Sequence, residues 1–525
     1  MRKVSLIALT LVLLTILPLP LQAQGDKVVR GDCLSGTSDE GGLTRGAQRR
    51  LPTPSTNWDP SKTYRQMVIL MSFSDKDFSM PDPQATYDSI FNYNGYNQRN
   101  GKGCVADYFR DQSNGLFNME FDIFGPVKVE SVAQPYEKPT EKTKNYGSSQ
   151  FREATTKVIA ENLDWDYSQY DWNNDGYVDQ IIVVYAGYGG NNGEGSYGHI
   201  WPNTGSFSSI TTSNFIKFSN FTASAEVWPN NASCGIGTIC HEFSHSLGLP
   251  DMYDTSSGDP VVDEWDLMDG GNFTNYGWCP PNYTCLEKML LGWLTPVELD
   301  DSITVEDLKP VEEGGEAFRI KHSNNEWLLL ENRQQRGWDA GAPGKGLVIY
   351  HVDYNASAWQ GNYLNGNASK HRFELINADN TDFITWENYI KTNNLGRWAN
   401  KPRMNNRCLS TSPYPWSTIK ADSVPFVNNE LTETSVPAPV MNNSNGEGKT
   451  ILNKPITNIQ MTDEGLISFD FMGGTPLPDA IQTPAIGLPQ SEIICDMQGR
   501  LLQEVPSRGF YIIRKEDGTV RKIFR

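Results

Sequence analysis

The segment Cys240-His241-Glu242-Phe243-Ser244-His245-Ser246-Leu247-Gly248-Leu249-Pro250-Asp251 constrains this chain more than any other. His241 and His245 are four residues apart, so on a helix they project from one face and their imidazoles can converge on a single ion. Glu242 sits beside the first imidazole, within reach of a water held by such an ion. Two imidazoles plus a carboxylate, with one position left open, suit zinc. Gly248 can take a positive φ, end the helix and turn the chain back. Asp251 then falls where a third ligand is needed. The chain has only 6 His in 525 residues, and an accidental H-E-x-x-H arises in roughly a few per thousand chains of this kind. The competing reading, a surface helix with two solvated histidines, makes Gly248 and Asp251 coincidences.

A second cluster follows in Glu264-Trp265-Asp266-Leu267-Met268-Asp269-Gly270-Gly271. A Met in a tight Gly-bearing turn after such a helix resembles the Met-turn that packs beneath a metzincin zinc site. Met268 and Gly248 are thus expected as structural supports. Tyr276 is a candidate oxyanion stabiliser; the competing and more economical reading is an interface aromatic.

The rest of the chain organises around this segment. Arg2 and Lys3, the apolar run Val4 to Leu17 and the small residue Ala23 read as a signal peptide over 1–23. Residues 24–62 are polar and lack periodicity, as in a pro-segment or mobile leader, and Arg49-Arg50 is a candidate processing site. Strands and helices alternate through 63–300, the expected catalytic domain. From 301 to 473 strands and turns dominate, a β-rich region continuous with the catalytic unit. Four prolines mark 474–490 as a linker, and 491–525 reads as a small β module.

With these pieces in place the chain resembles the immune inhibitor A family of secreted metalloproteases, metzincin-like zincins. The resemblance spans about residues 64 to 380. It includes Leu249-Pro250-Asp251-Met252-Tyr253-Asp254, Gly103-Cys104-Val105-Ala106-Asp107-Tyr108-Phe109-Arg110, Asp175-Gly176-Tyr177-Val178-Asp179, His199-Ile200-Trp201-Pro202, Leu328-Leu329-Leu330-Glu331-Asn332-Arg333 and Gly346-Leu347-Val348-Ile349-Tyr350-His351-Val352-Asp353. It implies an α/β zincin-like, metzincin-like catalytic domain followed by the β-rich region and the small C-terminal module. It also implies zinc endopeptidase activity, with His241, His245 and Asp251 as ligands and Glu242 as base. Asp251 stands where many relatives of this class carry a third histidine.

Three further features carry expectations. Asp171, Asn173, Asp175 and Asp179 place oxygens at positions 1, 3, 5 and 9 of a loop with Gly176 at position 6, the first part of a calcium loop. Position 12 is Ile182, so no complete EF-hand forms. A calcium site completed from elsewhere is expected, with an Asx-rich turn as the alternative. Cys33, in the leader, is a candidate latency thiol for the open zinc position; the alternative is an unpaired or disulfide-linked cysteine. Among the 8 Cys, Cys279 and Cys285 are the pair most readily bridged, Cys234 and Cys240 less so. The C-terminal strings Asp496-Met497-Gln498-Gly499-Arg500 and Gly509-Phe510-Tyr511-Ile512-Ile513 resemble type IX secretion sorting domains, which implies contact with secretion machinery and a secreted, extracellular or cell-surface location.

Composition sets the partners. A net charge of −19 disfavours nucleic acid and anionic membranes. No apolar run of about 20 residues follows the signal, so no membrane span is expected in the mature chain. The expected partner is a protein or peptide substrate. The competing function is a surface adhesive or glycan-binding protein on an inactive protease scaffold, supported by 11% aromatic residues and the β-rich second half.

Overall fold

A computed structural model of the chain describes residues 50–380 apart from 141, 194 and 368, and residues 413–419, 425–474, 492–495, 510–515 and 520–524. The signal segment, the leader through residue 49 with Cys33, and most of the linker lie outside these residues.

The first layer is a five-stranded sheet. Its strands are β1 (Thr63–Ser72), β2 (Asn118–Lys128), β3 (Ile181–Tyr188), β4 (Asn203–Thr211) and β5 (Lys217–Val227), in the order β2-β1-β3-β5-β4. All neighbours are parallel except β4, which runs antiparallel along β5 at one edge. Near-continuous apolar runs in β1 and β3 follow from burial on both faces. Alternate residues serve opposite cores. Val68, Leu70, Ile182 and Val184 face one core; Met67, Ile69, Ile181 and Val183 face the other. Helices α1 (Pro83–Asn92), α2 (Val105–Gln112) and α4 (Gly237–Ser246) pack on the first face, and α3 (Ser148–Glu161) on the second.

After α5 (Cys285–Leu290) the chain builds mainly strands. They are β6 (Val297–Glu298), β7 (Ile303–Leu308), β8 (Ala317–Lys321), β9 (Glu326–Arg333), β10 (Gly346–Asp353), then α6 (Ala356–Gln360) and β11 (Phe373–Leu375). These are followed by β12 (Trp416–Ile419), β13 (Pro425–Asn428), β14 (Ile456–Met461) and β15 (Ile467–Phe471). A second five-stranded sheet, ordered β11-β10-β9-β8-β6, uses both faces. Trp327, Leu329, Val348 and Tyr350 join the core shared with α4; Leu328, Leu330, Leu347 and Ile349 face the three-stranded sheet β14-β15-β7. At the C-terminus β16 (Glu492–Cys495), β17 (Phe510–Lys515) and β18 (Val520–Phe524) pair antiparallel.

The junction is polar as well as apolar. Arg333, at the end of β9, is fully buried. Its Nε donates to Asp339 at 2.6 Å, its Nη1 to Glu331 at 3.1 Å and its Nη2 to the Asn282 carbonyl at 3.2 Å. Its guanidinium also lies 5.7 Å from the Trp265 ring centroid. Removing one member of such a buried set costs roughly 3–5 kcal/mol, because the others stay charged without a partner. The N-terminal stretch packs here too. Leu51 is buried, its N–H donates to the Gln360 carbonyl at 2.9 Å, and Trp58 Nε1 donates to the Leu291 carbonyl at 2.7 Å.

The expected Cys279–Cys285 bridge does not form. Cys104, Cys234, Cys240, Cys279 and Cys285 are all buried free thiols, so the Cys234–Cys240 pair is also unbridged. Cys285 opens α5 inside the core, whereas the Cys279 thiol points to the carbonyls of Gly337 and Trp338 at 3.6 and 3.5 Å. Six-residue spacing does not by itself fix the Cα separation and side-chain directions that a bridge needs. Among the described residues, no helix is long and apolar enough to cross a membrane.

A buried imidazole in the second sheet carries a raised pKa. His351 is buried on β10, with Nε2 2.8 Å from Glu326 and Nδ1 3.4 Å from Glu374. Burial works to lower its pKa, but the two carboxylates outweigh it and push the group up to about 9. Glu326 also accepts the backbone N–H groups of Asn442 and Asn443, so this charge ties the sheet to the later chain. A raised imidazolium pKa gives stability that is complete below the unfolded value and lost as pH rises through the folded one. Chemical denaturation is therefore expected to show a midpoint that falls between about pH 6.5 and 9, with the fall diminished in His351→Gln.

Candidate metal centre

Helix α4 delivers the two histidines one turn apart, and its start fits tightly against the following loop. A Cβ on Gly237 would lie 2.0 Å from the Asn272 carbonyl oxygen, so only glycine lets the helix sit this close. At the other end Gly248 has φ +98°, and a Cβ there would meet the Pro52 carbonyl at 2.6 Å. The chain turns back on this glycine and carries Asp251 beneath the imidazoles.

The three side chains meet. His241 Nε2 lies 3.1 Å and His245 Nε2 3.3 Å from Asp251 Oδ1. All three residues are at most 1% exposed, and among the described residues they form the one grouping of three or more ligand-type side chains able to hold a metal. The other ring nitrogens are engaged: His241 Nδ1 is 2.8 Å from the Leu267 carbonyl, and His245 Nδ1 is 2.8 Å from the Leu249 carbonyl. A carbonyl can only accept, so each Nδ1 carries the proton and each Nε2 presents a lone pair. His241 Nε2, His245 Nε2 and Asp251 Oδ1 have no hydrogen-bond partner. Three buried, unpartnered acceptors of N, N and O type fit a divalent cation of the zinc class.

The support is local. Leu267, whose carbonyl orients His241, precedes Met268, which is fully buried; the Met268 carbonyl accepts the Met252 N–H at 2.9 Å. Asp269 Oδ2 accepts the N–H groups of Val261, Val262 and Asp263 at 2.8 to 2.9 Å and so fixes the approach to this turn. Burial also pushes the carboxyls of Asp266 and Glu287 upward.

Glu242 faces a small cavity of about 20 Å³ beside His241. Thr204 Oγ1, on edge strand β4, lies 3.3 Å from Glu242 Oε2. Thr238, Tyr253, Asp269 and Asn272 share the wall with Trp201, Pro202, Asn191 and Phe273.

Residues 61–285 match the family model described as Immune inhibitor A peptidase M6, catalytic domain. The matched segment holds α4, Asp251 and the Met268 loop within a mixed α/β architecture, and a β-rich region follows it. Pre-pro-metalloprotease PrtV, from two strains of Vibrio cholerae serotype O1, is 25% identical over 247 residues, 42% of this chain and 26% of its own length. Immune inhibitor A of Bacillus thuringiensis subsp. alesti is 28% identical over 162 residues, 26% of this chain and 23% of its own length. The chain thus spans about a quarter of the length of these curated relatives.

Other expected site residues of the peptidase domain fall elsewhere. Tyr276 does not line the cavity; it packs between the two cores, and its carbonyl accepts from Trp228 Nε1 at 3.3 Å. The phenol on the cavity wall is Tyr253. In the acidic loop, Asp171 accepts from the N–H groups of Asp175 and Gly176, Asn173 from Asp175, Asp175 from Tyr177 and Asp179 from Trp172. These are the bonds of an Asx-rich turn. Burial, with Asp171 and Asp175 nearby, pushes Asp179 up to about 6. Tyr253 and Trp201 stood inside recognisable motif strings without any sign of their place on the wall; Asn272 and Thr238 had no sequence signal.

Two substitutions separate these placements. Tyr276→Phe is expected to leave metal content and peptidase activity within about twofold of the parent. His245→Ala is expected to abolish stoichiometric metal in elemental analysis of the purified chain.

Proposed function

We propose that this chain is an exported zinc-dependent endopeptidase. The convergence of His241 Nε2, His245 Nε2 and Asp251 Oδ1, all buried and without hydrogen-bond donors, carries the reading. When bound there, zinc lowers the pKa of a water toward neutrality and polarises a peptide carbonyl. Glu242 accepts the proton of the attacking water and delivers it to the departing amine. Thr204 steadies the Glu242 carboxylate from β4. Among the described residues β4 pairs with β5 alone, so its other edge is where an extended peptide would add, with backbone hydrogen bonds supplying the register. Leu267 and Met268 beneath the first imidazole favour a metzincin-like arrangement.

Export rests on the signal-type N-terminus and the sorting-type C-terminal strings. A calcium ion at Asp171–Asp179 is proposed only as a structural ion, whose charge would favour the ionised Asp179 that burial and the neighbouring Asp171 and Asp175 disfavour. A latency role for Cys33 rests on its place in the leader alone. The adhesive or glycan-binding alternative must explain why a complete set of ligands is kept together with Glu242.

The test uses the processed, secreted chain and an unfolded protein substrate. Cleavage is expected to stop with a chelator, to return with zinc, and to fall by at least about 100-fold in Glu242→Ala. Stoichiometric zinc without hydrolysis would support the binding-protein alternative, and an active Glu242→Ala would remove the assigned base.

A further inference from the structure

Asp251 is held by a residue that lies outside the matched peptidase segment. Asn362 follows α6 and is 2% exposed. Its Oδ1 accepts the Asp251 N–H at 2.6 Å, and its Nδ2 donates to Asp251 Oδ2 at 2.6 Å. A backbone N–H can only donate, so the amide orientation is fixed by chemistry: the oxygen must face Asp251 N and the NH2 group must face the carboxylate. One neutral side chain thus grips both ends of the same aspartate. It occupies Oδ2 and leaves Oδ1 turned toward the two imidazoles.

The grip is built into the backbone. Asn362 has φ +55°, a left-handed conformation that Asn tolerates better than most residues. Its own carbonyl accepts from Thr255 Oγ1 at 2.9 Å. Three residues on, Asn365 is fully buried and its Nδ2 donates to the carbonyls of Met252 and Phe373 at 2.7 and 2.9 Å. Asn365 Oδ1 accepts the N–H groups of Arg372 and Phe373 at 2.8 and 3.1 Å. The turn 362–365 therefore clasps Asp251 and Met252, and is itself anchored to β11 of the second sheet.

We propose that Asn362 is a positioning residue for the metal: it selects Oδ1 of Asp251 as the single ligating oxygen and orients it toward His241 and His245. This rests on the zinc reading above. Without the amide the carboxylate could rotate and offer either oxygen, and the buried Asp251 N–H would lose its acceptor. Outer partners of metal ligands typically alter metal affinity by roughly 10- to 100-fold.

The experiment compares Asn362→Gly, Asn362→Ser and Thr255→Val in the full processed chain. Gly fits φ +55° without strain, and Ser is too short to bridge both Asp251 atoms. Thr255→Val loosens the same turn without touching Asp251. Zinc affinity is measured by competition with a chromogenic chelator, and ligand geometry by the visible absorption of the cobalt(II)-substituted chain. Both Asn362 variants are expected to bind zinc roughly 10- to 100-fold more weakly, with a changed cobalt spectrum. Thr255→Val is expected to lower thermal stability and leave both metal readouts unchanged. Near-ultraviolet circular dichroism checks folding, and Asn362→Ser decides alone if the Gly variant does not fold. Parental affinity and an unchanged cobalt spectrum in a folded Asn362 variant overturn the proposal, as does an equal metal loss in Thr255→Val. If the parent chain itself takes up neither zinc nor cobalt, the zinc reading fails instead.

Discussion

Three lone pairs meet where water has little access, and nothing in the surrounding protein donates a hydrogen bond to them. Burying polar atoms this way is costly, of the order of 1–3 kcal/mol for each group left unsatisfied. The neighbouring atoms are arranged to keep them so. Each Nδ1 is tied to a carbonyl, which turns each Nε2 inward, and Asp251 Oδ2 is covered by an amide while Oδ1 is left bare. A cation removes the penalty at all three atoms at once. This explains why a helix, a glycine turn, the Met268 loop and a distant asparagine converge on one place.

The same constraint gives the β-rich region a role beyond bulk. The matched peptidase segment supplies the helix, the aspartate and the loop beneath them, but the clasp on the aspartate comes from the turn after α6. That turn is anchored to the second sheet, whose inner face shares a core with α4. Arg333 adds a buried polar tie between the same two regions. Rigidity at the site is therefore set by both layers.

The sequence carried the parts of the site that depend on helical period and local turns. A four-residue spacing fixes a shared helix face, and a glycine after the helix sets up a reversal, so His241, His245 and Asp251 were readable. The buried character of β1 and β3 was readable from their apolar runs. Long-range direction was not. Cys279 and Cys285 are close in number yet stay unbridged, whereas Asn362 and Asp251 are 111 residues apart and share two bonds. Tyr253 rather than Tyr276 reaches the cavity because the 270–277 turn carries Tyr276 between the cores, a path that no local pattern encodes.

The most direct measurement is zinc K-edge X-ray absorption on the processed chain. The expected first shell contains only nitrogen and oxygen at about 2.0–2.2 Å, with the outer-shell scattering of two imidazoles and one zinc per chain. A sulfur shell near 2.3 Å, scattering from a different number of imidazoles, or the absence of bound zinc would contradict it.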